Sequence, residues 1–196
     1  MSKKSIETKV CRNCEQEKEI SEFYVRSNGT VPYICASCER VAVVEREKAR
    51  KGTFRYKCTV ALKTARVSRK RAEEELGEPI TDTLSLYDVL FTLGADDCVY
   101  CGRHCKQSEK TLEHIIPLLQ GGTNTFDNIA MACTSCNSSK RDKPVTEFAQ
   151  NHGIRAKNRV LERMVFGSGK EPEEVFGVLS AVSKRYEEVK GSDKTA

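Results

Sequence analysis

Chemically useful residue types crowd into one stretch of this chain. Glu113 and His114 lie within Leu112-Glu113-His114-Ile115-Ile116-Pro117, followed by Gly121-Gly122, Asn128 and Asn137, which directly follows Cys136. Two Cys-x-x-Cys pairs, Cys98/Cys101 and Cys133/Cys136, bracket the stretch. An imidazole titrates near neutrality and suits proton transfer. A carboxylate and neutral amide oxygens are hard ligands, matched to a divalent ion such as Mg²⁺ or Mn²⁺. Four thiolates are soft ligands that close a tetrahedral zinc site and leave it no open position. The stretch therefore offers a general base, ligands for a second ion and a separate structural clamp.

Eight of the ten cysteines fall in four such pairs, the other two being Cys11/Cys14 and Cys35/Cys38. Joining neighbours closes loops of 20 and 31 residues, whereas joining Cys35/Cys38 to Cys98/Cys101 would close 59 at a larger entropic cost. Two structural zinc sites are expected: Cys11, Cys14, Cys35 and Cys38 in one, Cys98, Cys101, Cys133 and Cys136 in the other. Disulfides are not expected. The start of the chain, Met1 to Lys9, is polar and charged with no apolar run behind it, unlike a signal peptide. No apolar run approaches the length of a membrane span. A reducing, cytoplasmic setting with no membrane contact is the resulting expectation. Cys58 reads as a small apolar side chain and Cys105 as exposed.

The elements that must position these groups are small. Of 196 residues 38% are hydrophobic and 31% charged, and Trp is absent, so a thin core in need of staples is expected. The fold class is α+β, built from small zinc-stapled domains. Residues 8–38 read as a zinc ribbon, with Phe23-Tyr24-Val25 and Tyr33-Ile34 as short strands around an Asn28-Gly29 turn. Residues 39–79 read as a basic helical arm and linker, interrupted near Gly52. Residues 80–148 hold the candidate site, preceded by an amphipathic helix capped at Asp82 or Thr83 and ending at Gly94. Residues 149–190 form a C-terminal helical extension.

Charge is segregated along the chain. The net charge is only +5, but Arg40 to Arg71 contains twelve Lys/Arg against two Glu. From Ala72 to Asp97 there are eight Asp/Glu and no Lys or Arg. Such a pattern presents one surface to a polyanion and keeps another away from it.

Together, Cys98-Val-Tyr-Cys101-Gly, Glu113-His114-Ile-Ile-Pro117, Gly121-Gly122, Asn128 and Cys133-Thr-Ser-Cys136-Asn137-Ser-Ser-Lys140 resemble the HNH endonuclease family in its zinc-stapled form. The resemblance covers about a third of the chain, residues 80–148. It implies two strands and a helix gripping one divalent ion, and a metal-dependent phosphodiester hydrolase acting on double-stranded DNA. His114 would be the general base, Glu113 and Asn137 the ligands of the catalytic ion, and Asn128 the residue that holds the loop and orients His114. Many relatives carry Asp where Glu113 stands.

Lys140, Arg141 and Lys143 would contact the DNA backbone. So would Arg50, Lys51, Arg55, Arg66, Arg69, Lys70 and Arg71 of the basic arm, through salt-sensitive phosphate contacts. The N-terminal pairs more loosely resemble the zinc module of phage-type HNH and recombination-endonuclease-like proteins, which implies a bacterial host setting. One such site cuts one strand; a double-strand break needs a homodimer, two sequential cuts, or a packaging or recombination partner. The alternative is a zinc-dependent DNA-binding regulatory or packaging accessory protein with a vestigial site. A third reading, a Cys-x-x-Cys redox protein, predicts no bound zinc.

Overall fold

The first structural unit, running to Thr53, has almost no apolar interior of its own. A computed structural model of the chain describes residues 7–192, with side chains described as far as residue 186. Strands β1 (Thr8–Val10) and β2 (Glu17–Glu19) pair antiparallel on either side of the Cys11-Cys14 turn, with Lys9 opposite Lys18. That like-charge pair is relieved outward: Lys9 donates to the Val31 carbonyl, and Lys18 pairs with Glu22 at 2.9 Å. Buried here are Cys11, Phe23 and Cys35, with Cys14, Val31 and Cys38 packed against them. A core this small depends on the thiolates.

The strands expected at Phe23-Tyr24-Val25 and Tyr33-Ile34 do not form, and Tyr24, Val25 and Tyr33 are at least half exposed. The Asn28-Gly29 turn is present, with Gly29 at φ +77°. The ladder forms beside the zinc knuckle instead, because the cysteine turn already brings residues 8–10 and 17–19 together. Helix α1 (Ala36–Lys51) follows, with Cys35 at its N-cap and Lys48, Arg50 and Lys51 at the C-terminal end, where the dipole favours cations.

The second unit begins at Phe54, so the basic stretch 39–79 is divided between units near Gly52 rather than forming one arm. Helix α2 (Phe54–Leu76) buries Cys58, Leu62, Ala65 and Ala72, a helical spacing that lays one stripe on the core and leaves the basic residues outside. Helix α3 (Leu86–Gly94) ends at Gly94 as expected. It is capped one turn later than expected, by Ser85 and Asp88 in a reciprocal capping box. Asp82 is instead engaged by Arg69 and Asn124.

Strands β3 (Lys110–His114) and β4 (Ile129–Cys133) form an antiparallel pair in which Glu113 faces Ala130 and His114 faces Ile129. Helix α4 (Thr134–Lys140) starts directly at the second zinc knuckle. Helices α5 (Val145–Asn151), α6 (Ile154–Ser168) and α7 (Pro172–Ser192) pack behind this hairpin and helix. Tyr100 is fully buried, edge-on to Phe148 with ring centroids 5.0 Å apart. Arg159 of α6 donates to the carbonyls of Val99 and Tyr100, so the C-terminal extension braces the first knuckle. Cys105, expected to be exposed, is buried, its backbone N–H bonded to the Asp96 carbonyl at 2.8 Å. Among the described residues no helix is long and apolar enough to cross a membrane.

Between β3 and β4 the chain turns through Gly121-Gly122. A Cβ on Gly122 would overlap the Ile116 carbonyl oxygen and approach the Pro117 carbonyl oxygen to 2.8 Å. These are backbone atoms that cannot swing aside. Gly122→Ala is therefore expected to destabilise the second unit by about 1–3 kcal/mol, read as a lowered Tm with zinc content unchanged.

Candidate active site

Both cysteine quartets come together. The sulfurs of Cys11, Cys14, Cys35 and Cys38, and those of Cys98, Cys101, Cys133 and Cys136, lie within 4.8 Å of one another in their sets. Cys14 and Cys35 are 4.0 Å apart and Cys101 and Cys133 3.9 Å. A zinc tetrahedron with Zn–S bonds of about 2.3 Å needs sulfur separations of roughly 3.8 Å, so the donor sets fit zinc. Backbone N–H groups point at the sulfurs: Cys35 at Cys11, and Cys133 at Cys98, each at 3.3 Å. The backbone N–H groups of Cys14 and Cys35 lower the Cys11 thiol to about 6, favouring the thiolate that zinc requires.

The second quartet fixes the geometry of the hairpin. Its ligand Cys133 ends β4 and caps α4, so the helix leaves the sheet in one direction. Glu113, His114, Asn137 and Lys140 then border a single cleft of about 410 Å³, walled on its other side by Thr64, Ser68 and Arg71 of α2. Glu113 and His114 are neighbours on β3 and point to opposite sides of it; the cleft wraps around the end of the strand.

Asn128 is buried and spends its side chain on the loop. Its Oδ1 accepts from the Ile116 N–H at 2.8 Å, and its Nδ2 donates to the carbonyls of Ile116 and Thr123 at 3.0 and 2.8 Å. It does hold the loop, but the side chain that meets His114 is that of Asn124, whose Oδ1 lies 3.0 Å from Nε2. Asn124 was missed in the sequence. An Asn in a Gly-Gly-Thr-Asn-Thr turn reads as turn chemistry, and nothing local announces that it is fully buried.

Burial pushes the His114 imidazole below its ordinary value, the Asn124 contact opposing and the Lys140 charge assisting. The ring is thereby favoured in the neutral form a base requires.

Lys140 is placed differently from expectation. It is 1% exposed, pairs with Glu113 Oε1 at 2.7 Å and donates to the His114 carbonyl at 3.1 Å. Such a lysine has no ammonium left for DNA. It neutralises a carboxylate whose burial would otherwise be costly, and Tyr100 adds a long hydroxyl contact at 3.4 Å. Burial raises the Glu113 carboxyl above its usual value, with Lys140 acting against this.

Arg141 and Lys143 are exposed, and Arg141 borders the cleft. On α2, Arg55, Lys70 and Arg71 are exposed. Arg69 instead pairs with Glu73 at 2.5 Å and Asp82 at 3.2 Å, and Arg66 reaches Asp82 at 3.9 Å and the Leu84 carbonyl at 3.2 Å. Arg50 and Lys51 lie at the end of α1 in the first unit, Arg50 paired with Glu47. Glu113 and Asn137 both border the cleft, and their side-chain oxygens are hard donors of the kind a divalent ion takes.

Two outcomes follow from this geometry. Metal analysis of the purified chain should find about two zinc ions, one for each thiolate quartet, and stripping them should unfold the protein. Lys140→Met, which leaves the Glu113 carboxylate buried without its partner, should cost roughly 3 kcal/mol of stability. Adding Glu113→Gln should recover much of that loss in the same unfolding measurement.

Residues 98–143 match the HNH endonuclease family. Over 58 residues the chain is 40% identical to the CRISPR-associated endonuclease Cas9 of Corynebacterium diphtheriae, a match covering 29% of this chain and 5% of that protein. Among solved structures, the type II-C Cas9 enzyme from Actinomyces naeslundii aligns with 75% of this chain and 17% of its own, at 26% identity and a TM-score of 0.33. The chain thus spans a small fraction of the length of either relative. Residues 98–143, which carry the hairpin and helix bracketed by the second cysteine quartet, are thus similar to the HNH endonuclease family.

Proposed function

We infer that this chain is a divalent-metal-dependent DNA endonuclease whose reaction centre is the cleft holding Glu113, His114 and Asn137. One observation carries the reading: a half-buried imidazole, a buried carboxylate and an amide oxygen border one cleft, with Arg71 and Arg141 at its edge. A protein that only binds DNA has no need of the first three.

His114 takes a proton from a water placed against the scissile phosphorus. The water oxygen bonds to phosphorus as the bond to the 3′ oxygen breaks, leaving 5′-phosphate and 3′-hydroxyl ends. Glu113 and Asn137 are the residues that would hold a divalent ion, which would supply charge stabilisation at the phosphate and the leaving oxygen. Lys140 steadies Glu113 and the end of β3, and Asn128 keeps the loop closed behind them. Arg71, Arg141, Lys143, Lys70 and Arg55 attract the phosphate backbone without reading sequence, so affinity should fall steeply with salt. One such centre cuts one strand per encounter.

A plasmid-nicking assay with Mg²⁺ or Mn²⁺ against EDTA tests this directly. His114→Ala is expected to keep its zinc and its DNA affinity and to lose cleavage by about a hundredfold or more. Undiminished cutting by that variant would reject His114 as the base. A zinc-loaded wild type that binds DNA and never cuts it would favour the accessory DNA-binding reading.

A further inference from the structure

The buried amide of Asn124 stands between two partners of different kinds. Its Nδ2 donates to Asp82 Oδ1 at 2.8 Å, and its Oδ1 meets His114 Nε2 at 3.0 Å. Asp82 faces Arg69 at 3.2 Å and Arg66 at 3.9 Å. A carboxylate set among guanidinium groups has acceptors to offer and no proton to give. The amide therefore has one satisfactory orientation. Turned over, its oxygen would face the carboxylate, and a buried acceptor pair would repel.

The backbone of Asn124 is pinned as well. Its N–H donates to the Thr81 carbonyl at 2.9 Å, and its carbonyl accepts from Thr83 and Leu84, each at 3.2 Å. With the amide oxygen aimed at His114, the ring nitrogen opposite must carry a hydrogen, because an amide oxygen only accepts.

We propose that Asp82 and Asn124 are positioning residues that hold His114 as the Nε2–H tautomer, leaving Nδ1 as the ring atom that takes the proton from water. The consequence for catalysis rests on the nuclease reading above; the tautomer itself does not. Asp82 lies outside residues 98–143, the part of the chain that matches the family. The segment joining α2 to α3 thus reaches into the site and sets the chemistry of its base. This also accounts for the half-buried placement of Arg69 on α2: it holds the carboxylate that orients the amide, with the exposed Arg66 farther off.

Long-range ¹H–¹⁵N NMR at slightly alkaline pH reads the tautomer of the His114 imidazole, and the chain has only three histidines to assign. The wild type should show His114 protonated at Nε2. Asp82→Ala and Asn124→Ala, checked for zinc content and cooperative unfolding, should show mixed tautomers. Their kcat should be lower by about tenfold or more, part of the roughly hundredfold or greater contribution of a placed base, with KM for DNA little changed. Asp82→Asn keeps an acceptor oxygen and should restore the tautomer and most of the rate. An Nδ1–H wild type, or unaltered tautomer and kcat in both alanine variants, would overturn the proposal. A wild type that shows Nε2–H yet never cleaves DNA would reject the nuclease reading and uphold the placement of the ring proton.

Discussion

The thiolate quartet of Cys98, Cys101, Cys133 and Cys136 is the constraint on which the rest of the site depends. It brings the Cys98–Cys101 turn to the junction of β4 and α4, where the Val99 N–H also donates to the Met131 carbonyl at 3.0 Å. Cys133 closes β4, begins α4 and accepts the Cys136 N–H at 3.4 Å. With that junction pinned, the antiparallel register puts His114 opposite Ile129, and the first turns of α4 bring Asn137 and Lys140 to the end of β3. Four thiolates would leave a bound zinc no open position, so an ion held there would serve as architecture.

Around that clamp, the site is held by polar groups out of contact with water. Asn128, Asn124, Glu113 and Lys140 are all buried. Buried polar groups are tolerable only when they are paired, and here each pairing carries geometry. Asn128 spends its amide on the loop that Gly122 tightens. Lys140 offsets the charge of Glu113 and ties its own helix to the His114 carbonyl. The cost of burying these groups is met by an apolar layer, with Tyr100, Phe148, Val160 and Leu93 filling the space behind the hairpin.

Much of this architecture was legible from residue spacing. The four Cys-x-x-Cys pairs indicated two quartets and Gly94 the end of α3; of the four residues read together, Glu113, His114 and Asn137 border one cleft and Asn128 lies in the loop behind it. Other expectations failed for identifiable reasons. Apolar runs at Phe23-Tyr24-Val25 and Tyr33-Ile34 suggested strands, yet a zinc knuckle brings different residues together and leaves Tyr24 and Tyr33 in solvent. Arg69 and Lys140 were counted with the DNA-facing cations, yet Arg69 is half-buried against Asp82 and Lys140 is buried against Glu113. Composition cannot tell a cation facing solvent from one engaged by Asp82 or Glu113, many positions away in the chain.

By itself, then, the sequence determined which groups are present: thiols at metal-ligand spacing, one imidazole beside a carboxylate, amides at fixed intervals and a basic run followed by an acidic one. These are local properties, read from residue types and short separations. Only the tertiary structure decided which partner each group meets. Asp82 and Asn124 are 42 positions apart, Asp82 and Arg69 of α2 are 13 apart, and whether such groups touch depends on how α2, α3 and the hairpin pack. The roles of Lys140 and Asn124 are set by burial. Burial is a property of the packed core, and no short stretch of chain encodes it.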